Sequence, residues 1–358
     1  MVGATSARLR ELRARLWLMA LPTDAKLSCW HDETQKLVGA QTRRQNGLLQ
    51  KLLSFLRCPS CSSELTLSTD ACPSGPETGS LSCAGGHVFP IVRGIPRFAG
   101  ESYATSFGFQ WNRFSTTQLD SASGTTESRD TFLEKTGFAL GDLRGRRVLD
   151  VGCGMGRFLE VVSDAGAEVV GIDLSSAVEA ARENLKHRPN VSVLQADVFR
   201  LPFAEGSFDF IYSIGVLHHT PDTRAAFLQL PRFLRSGGRI SIWVYGRRLR
   251  AFVVSPLVRQ ITKRMRAPAL LRACEVARPW GGFLRNVRSR HLRFLLHLGM
   301  NVSLHPNPEW RVLDTFDWYS PRFQHLHSRD EVRGWFREGG LTEIRDLAFP
   351  VAVTGRKP

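Results

Sequence analysis

Five apolar runs recur through the middle of the chain, Val148–Val151, Glu168–Asp173, Val191–Asp197, Phe208–Ser213 and Gly237–Val244, with helical patterns between them. The first is hydrophobic enough to be a strand covered on both faces, and Arg157–Ala165, which follows it, has a helical pattern. Strands alternating with helices predict right-handed crossovers and a parallel sheet, so the fold class is α/β. Further along, Ser328-Arg329-Asp330-Glu331 predicts a capping box that opens a helix over Val332–Glu338. Residues 115–130 are rich in Ser and Thr and are expected to form a loop after Tyr103–Phe114. Two amphipathic helices are expected between residues 246 and 309. One sets Val254, Val258, Ile261 and Met265 against a face of Arg259, Lys263 and Arg266; the other aligns Leu284, Val287, His291, Leu295 and Leu298.

Chemistry enters where the first strand ends. Asp150-Val151-Gly152-Cys153-Gly154-Met155-Gly156 has the form G-x-G-x-G with an acid two residues ahead of the first glycine, whereas the dinucleotide fingerprint is G-x-G-x-x-G. Glycines there let the backbone bend sharply and come against a ligand. On this motif the chain resembles the class I S-adenosylmethionine (SAM) dependent methyltransferases. The resemblance implies a Rossmann-like, mostly parallel seven-stranded sheet, SAM as cofactor, and Asp150, Gly152, Gly154 and Gly156 around its methionine part. Asp173, closing the second strand, is placed for the ribose hydroxyls. Asp197, closing the third, corresponds to the family's acid near the adenine amino group, and Ser213 stands at the mouth of the fourth. Ser213–Asp222 and Leu234–Arg239 look like the small-molecule branch that includes ubiquinone and menaquinone methyltransferases. The Asn/Asp-Pro-Pro-aromatic motif of nucleic-acid amino-methyltransferases is missing. The resemblance covers residues 101–245 and 310–358, where Leu341–Lys357 reads as the closing pair of strands.

Charge changes the picture of the region after the fifth strand. The 358-residue chain carries a formal net charge of +15. Gly246–Arg293 holds twelve Arg and Lys263 against the single acid Glu275, a net of +12, and residues 1–50 contribute +4, so the rest is close to neutral. The basic character therefore belongs to an insertion, residues 246–309, in the place where this fold commonly builds a lid. Three readings stand side by side: a solvated charged face, an anionic membrane surface or lipid-linked partner, and a nucleic-acid patch. No apolar run reaches membrane-spanning length without charges. Leu9, Leu12, Leu16 and Met19 share a helical face within the Arg-rich segment Ser6–Ala20; an ordinary, disordered extension is the preferred reading of it and an organelle-targeting segment the alternative.

Seven cysteines are scattered rather than framed for disulfides, which predicts a reducing, cytoplasmic compartment. Cys58-Pro59-Ser60-Cys61 is followed by Cys83-Ala84-Gly85-Gly86-His87 and a Phe89-Pro90-Ile91-Val92-Arg93-Gly94-Ile95-Pro96-Arg97-Phe98 tail. Cys58, Cys61, Cys83 and His87 offer a tetrahedral zinc set with no open position, hence a structural metal; a ribbon that has lost its metal is the alternative, with Cys72 a spare. The segment resembles the small zinc-ribbon-like domain of the tRNA methyltransferase activator type. The expected organisation is an extension over 1–50, a zinc-ribbon-like domain over 51–100, and a methyltransferase domain over 101–358 with a basic helical insertion.

Methyl transfer from a sulfonium needs the acceptor atom held close and in line, and a general base only where a hydroxyl or activated carbon must lose a proton. His219, Tyr319 and His325 are the catalytic candidates, with His218 and His327 behind them. The reading is SAM-dependent methyl transfer to a hydroxyl or carbon of a small-molecule, glycan or lipid-linked acceptor. An rRNA or tRNA methyltransferase, since the same ribbon heads one class of rRNA enzymes, and a non-catalytic SAM-binding partner subunit are the alternatives.

Overall fold

The predicted apolar runs form the centre of one sheet in a computed structural model that describes residues 50–68, 78–247, 255–299 and 301–358. The Arg-rich N-terminal pattern, Cys29, Cys72 and Val254 lie outside those residues. Four short strands come first, β1 (Leu65–Ser68), β2 (Thr78–Cys83), β3 (Val88–Val92) and β4 (Ile95–Pro96), paired antiparallel in that order. Helices α1 (Thr105–Arg113), α2 (Asp120–Ser123), α3 (Glu127–Thr136) and α4 (Leu140–Leu143) lead into the alternating region. It runs β5 (Arg147–Val151), α5 (Arg157–Asp164), β6 (Glu168–Asp173), α6 (Ala177–Leu185), β7 (Val191–Gln195), β8 (Phe208–Ile214), α7 (Thr223–Leu228) and β9 (Leu234–Trp243). Helices α8 (Ser255–Thr262), α9 (Ala267–Asn286), α10 (Arg290–Gly299), α11 (Pro308–Tyr319) and α12 (Arg329–Glu338) precede the last strands, β10 (Thr342–Asp346) and β11 (Ala352–Arg356).

The large sheet has the order β10-β11-β9-β8-β5-β6-β7. Pairs from β7 through β9 are parallel, while β11 runs antiparallel to both β9 and β10. Val148, Leu149 and Val151 of β5 and every residue of β7 are buried, as strands covered by helices on both faces require. Edge strand β10 is instead mostly exposed and charged, which blunts it against pairing with another chain. Chain order reverses at β5, with β6 on one side and β8 on the other, so a crevice opens beyond the carboxyl ends of β5 and β8.

Three expectations change. Residues 115–130 hold α2 and the start of α3, because the Asp120 carboxylate accepts the backbone N–H groups of Ser128 and Arg129, each at 2.9 Å, and so caps the next helix. The apolar series from Leu284 to Leu298 is split: Leu284 ends α9 as a buried residue, and Val287 is extended before α10 begins. Within α8 the polarity departs from the amphipathic pattern. Arg259 faces inward, donating to the carbonyls of Trp318 at 2.6 Å and Pro321 at 2.8 Å, while Ile261 is 69% exposed. The capping box at Ser328 and Glu331 is present as expected.

Candidate active site

The turn after β5 owes its shape to three left-handed residues, with φ of 87° at Gly152, 53° at Gly154 and 93° at Gly156. Side chains other than glycine rarely take such values. At Gly152 a Cβ would also overlap Val216. The turn is fastened to its neighbour: the N–H groups of Gly152 and Cys153 donate to the Ile172 carbonyl at 2.8 and 2.9 Å. Asp173, ending β6, accepts the Gly154 N–H on Oδ2 at 3.0 Å and the N–H and hydroxyl of Ser175 on Oδ1 at 2.9 and 2.7 Å. Burial pushes this carboxyl up, and those hydrogen bonds pull back against it.

A cavity of about 330 Å³ lies over this turn. Gly152, Gly154 and Asp173 form its floor with Ile214–Val216 after β8, and Tyr103, Phe107 and Trp111 from the α1 region cover it. Helix α11 supplies a further wall through Leu313, Asp314, Asp317 and Trp318. Among the cofactor candidates, Asp150 is buried within β5 beside Tyr212, its carboxyl driven well up by burial, and it is not on the wall. Gly156 caps α5, and Ser213 donates its hydroxyl to the Val151 carbonyl at 2.9 Å. Asp197 accepts the Phe199 N–H at 3.1 Å. Its neighbours Ala196 and Val198 line the cavity, and its charge, with that of Asp173, adds to burial in raising the Tyr103 hydroxyl.

Only His219 of the three catalytic candidates reaches the cavity. Its Nδ1 lies 2.9 Å from the Phe323 carbonyl; a carbonyl can only accept, so Nδ1 carries the hydrogen and Nε2 keeps its lone pair. Nε2 is buried and, among the described residues, has no hydrogen-bond partner. Burial holds the ring below its ordinary 6.5, with the nearby Asp317 charge acting in the opposite sense. Tyr319 instead packs in the cluster of Leu270, Cys274 and Phe316, and His325 bonds the 218–220 turn, its N–H to the His218 carbonyl at 2.9 Å and its Nε2 near the Thr220 carbonyl at 3.1 Å. Neither is brought to the cavity. His218 is stacked on Tyr245 at 3.9 Å behind His219, and His327 is held between Glu331 and Thr223 at 3.0 Å each.

Several polar groups on the wall were not singled out from sequence. Asp317 accepts from Gln110 Nε2 at 3.2 Å and from the Tyr245 hydroxyl at 3.0 Å. Asp314 is raised to about 7 by burial, against the Ser303 hydroxyl that donates to it at 2.9 Å. Lys135 sits 3.5 Å over the Trp243 ring and is brought down to about 7 by burial. The Arg157 guanidinium, next to the third glycine, hydrogen-bonds to the neutral oxygens of Ser128 at 2.9 Å, Gln118 at 3.4 Å and Thr131 at 3.5 Å, with the charges of Glu127, Asp314 and Asp120 close enough to favour its protonated form. The i, i+3 spacing of Asp314 and Asp317 within a run dense in polar and aromatic residues was the available signal.

Away from this cavity, Cys58, Cys61, Cys83 and His87 bring their donor atoms within 4.8 Å of one another. Cys83 Sγ lies 3.3 Å from His87 Nδ1 and 3.6 Å from Cys61 Sγ. Donors on a tetrahedron around zinc, at about 2.3 Å for sulfur, stand roughly 3.8 Å apart, so the set fits such a metal.

Residues 149–242 match the family described as Methyltransferase domain. The O-methyltransferase rstn1 of Aspergillus nomiae is 36% identical over 111 residues, covering 30% of this chain and 49% of that protein. A demethylmenaquinone methyltransferase of Lactococcus lactis is 35% identical over 121 residues, covering 32% and 48%. The chain thus spans about half the length of these curated relatives. Among solved structures, phosphoethanolamine N-methyltransferase 2 of Haemonchus contortus in complex with SAM aligns with a TM-score of 0.36 at 18% identity, over 62% of this chain and 38% of that one. The matched segment is thus similar to that methyltransferase family, and it lies on a mostly parallel, Rossmann-like sheet.

Proposed function

We propose that the protein moves the methyl group of SAM to a hydroxyl or an activated carbon of a small-molecule acceptor, with His219 as the base. One observation carries this reading: a neutral imidazole whose unpartnered Nε2 is buried beside the cavity, its tautomer set by the Phe323 carbonyl. The residues present fit the cofactor, because the glycine turn brings the backbone of Gly152 and Gly154 to the cavity and Asp173 offers a carboxylate there at the end of β6. In this reading Asp173 takes the ribose hydroxyls and Asp197 the adenine side. The Arg157 guanidinium, which lines the cavity and hydrogen-bonds to neutral oxygens, suits the anionic carboxylate of the methionine part. When bound, the cofactor supplies an electrophilic methyl on a cationic sulfur. His219 Nε2 then takes the proton that the acceptor loses, and the Asp317 charge favours the imidazolium that results. Tyr103, Phe107 and Trp111 shield the site from water. Cys58, Cys61, Cys83 and His87 would hold a structural zinc.

Calorimetry with SAM and a labelled-methyl acceptor screen test the assignment together. Asp173→Ala should weaken SAM binding by about tenfold or more while circular dichroism stays unchanged. His219→Gln should keep SAM affinity but lower transfer about 10²–10⁴-fold. Full transfer by His219→Gln would point to an acceptor, such as an amine, that needs no base at this position; full SAM affinity in Asp173→Ala would take that carboxylate out of the site.

A further inference from the structure

The insertion presents a surface that the reaction does not use. Ile261, Val276, Phe283 and Leu292 are 69%, 82%, 55% and 50% exposed, and among the described residues six of the eight exposed large hydrophobic side chains belong to this region, Val88 and Val92 of β3 being the others. Between residues 255 and 299 the same region carries nine Arg and Lys263 against Glu275 alone. The exposure follows from how α9 packs. Leu270, Cys274, Gly281 and Leu284 are buried on the α11 side, and at about 100° per residue Arg272, Val276 and Phe283 fall together roughly half a turn away from them. Cationic and apolar groups therefore share one outward face.

We infer that α8, α9 and α10 dock the protein on the surface of an anionic lipid bilayer, with Ile261, Val276, Phe283 and Leu292 entering the boundary between headgroups and acyl chains. Charge selects the occupant. A second copy of the same surface would meet it with like charge, whereas anionic headgroups complement it. The aliphatic side chains decide between polyanions: they gain nothing from the phosphates of a nucleic acid, which lie in water, but leave water at a lipid interface while neighbouring Arg side chains keep their heads among the phosphates. The docked face is one helix away from the cavity. Trp310 and Phe316 of α11 pack with Leu270 and Leu271, while Asp314 and Asp317 of the same helix line the cavity, and Arg259 of α8 holds the carbonyl of Trp318 on that wall. Docking would thus set the acceptor side of the site near the lipid, independently of which atom receives the methyl.

Co-sedimentation of the full chain with vesicles tests this, using phosphatidylcholine alone and equal parts phosphatidylcholine and phosphatidylglycerol. The protein should pellet with the mixed vesicles, remain in solution with the neutral ones, and be released as salt rises. A variant carrying Ile261→Ser, Val276→Ser, Phe283→Ser and Leu292→Ser keeps every charge and touches no cavity residue, so its circular dichroism and SAM affinity should be those of the parent. Its affinity for the mixed vesicles should fall by about tenfold or more. Equal binding to both vesicle types overturns the inference, as does parental vesicle binding by the serine variant, which would put the contact elsewhere. An RNA oligonucleotide that displaces the vesicles and binds the serine variant as tightly as the parent also overturns it, in favour of a nucleic-acid surface.

Discussion

Two adjacent imidazoles divide the work of burial differently. His219 keeps one nitrogen on the Phe323 carbonyl and the other beside the cavity, but His218 is fully enclosed and, among the described residues, neither of its ring nitrogens is hydrogen-bonded. Burial, aided by His219, holds His218 well below its ordinary 6.5. The folded protein thus refuses a proton that the unfolded chain accepts once the pH drops under 6.5, so stability is lost as pH falls from there toward the folded value. His218→Phe preserves the stack on Tyr245 and removes the titration. The parent should therefore lose stability relative to His218→Phe, by as much as about 1.4 kcal/mol per pH unit below 6.5, and urea melts at about pH 7.5 and about pH 5.5 would read the difference. A gap that does not change with pH would mean His218 takes up its proton in the folded state. At this scale the sequence was legible where function is local. The three glycines and Asp173 lie within one strand-turn-helix-strand stretch, whereas Gln110, Tyr245 and Asp317 come from distant parts of the chain and meet only through the tertiary fold.

Elements were legible where burial is the same on all sides. β5 to β9 announce themselves as apolar runs because helices cover both faces of the sheet, but an insertion helix takes its polarity from one partner, and that partner is chosen by tertiary packing. Arg259 is drawn inward by the carbonyls of Trp318 and Pro321 that end α11, which helical periodicity does not encode. A pair of glycines measures how strongly tertiary contact overrides local preference. Gly281 lies in α9, where a Cβ would stand 2.5 Å from the Ser303 carbonyl oxygen and 2.6 Å from Arg311 Cδ; Gly334 lies in α12 with nothing within 4 Å. Helix propensity favours alanine at either by about 1 kcal/mol. Crowding costs about 1–3 kcal/mol and applies only at Gly281. Gly334→Ala should stabilise the protein by about 0.5–1 kcal/mol, and Gly281→Ala should destabilise it by up to about 2 kcal/mol, both read by chemical denaturation. The same sign at both positions would show that α9 can shift away from α11 at little cost.

At the scale of the whole described unit, the four-stranded ribbon packs against the large sheet and its helices. Phe55 stacks on Phe203, the Phe98 N–H donates to the Gln195 carbonyl at 2.8 Å, and Arg97 pairs with Glu179 of α6 and reaches Gln195 Oε1 at 3.0 Å. The chain then crosses the ends of β6 and β7, where Glu101 accepts the Ser176 N–H and Asn112 donates to the Ser176 carbonyl at 3.0 Å. That same crossing brings Tyr103, Phe107 and Trp111 over the cavity. The four donors of the ribbon thus sit at one end of a strap whose other end is a wall of the site. Such long-range attachment has no local sequence signature. If Cys58, Cys61, Cys83 and His87 hold zinc, the purified protein should contain about one equivalent, and removing it by strong chelation, or through Cys83→Ser, should slacken the strap. SAM affinity should then fall by about three- to tenfold although no cavity residue has changed. The dichroism of the α/β core should persist, because β5 to β9 and their helices pack among themselves. A metal-free protein that binds SAM as tightly as the zinc form would mean the tail is held by Arg97, Phe98 and Glu101 alone, and that the metal stabilises the ribbon without reaching the site.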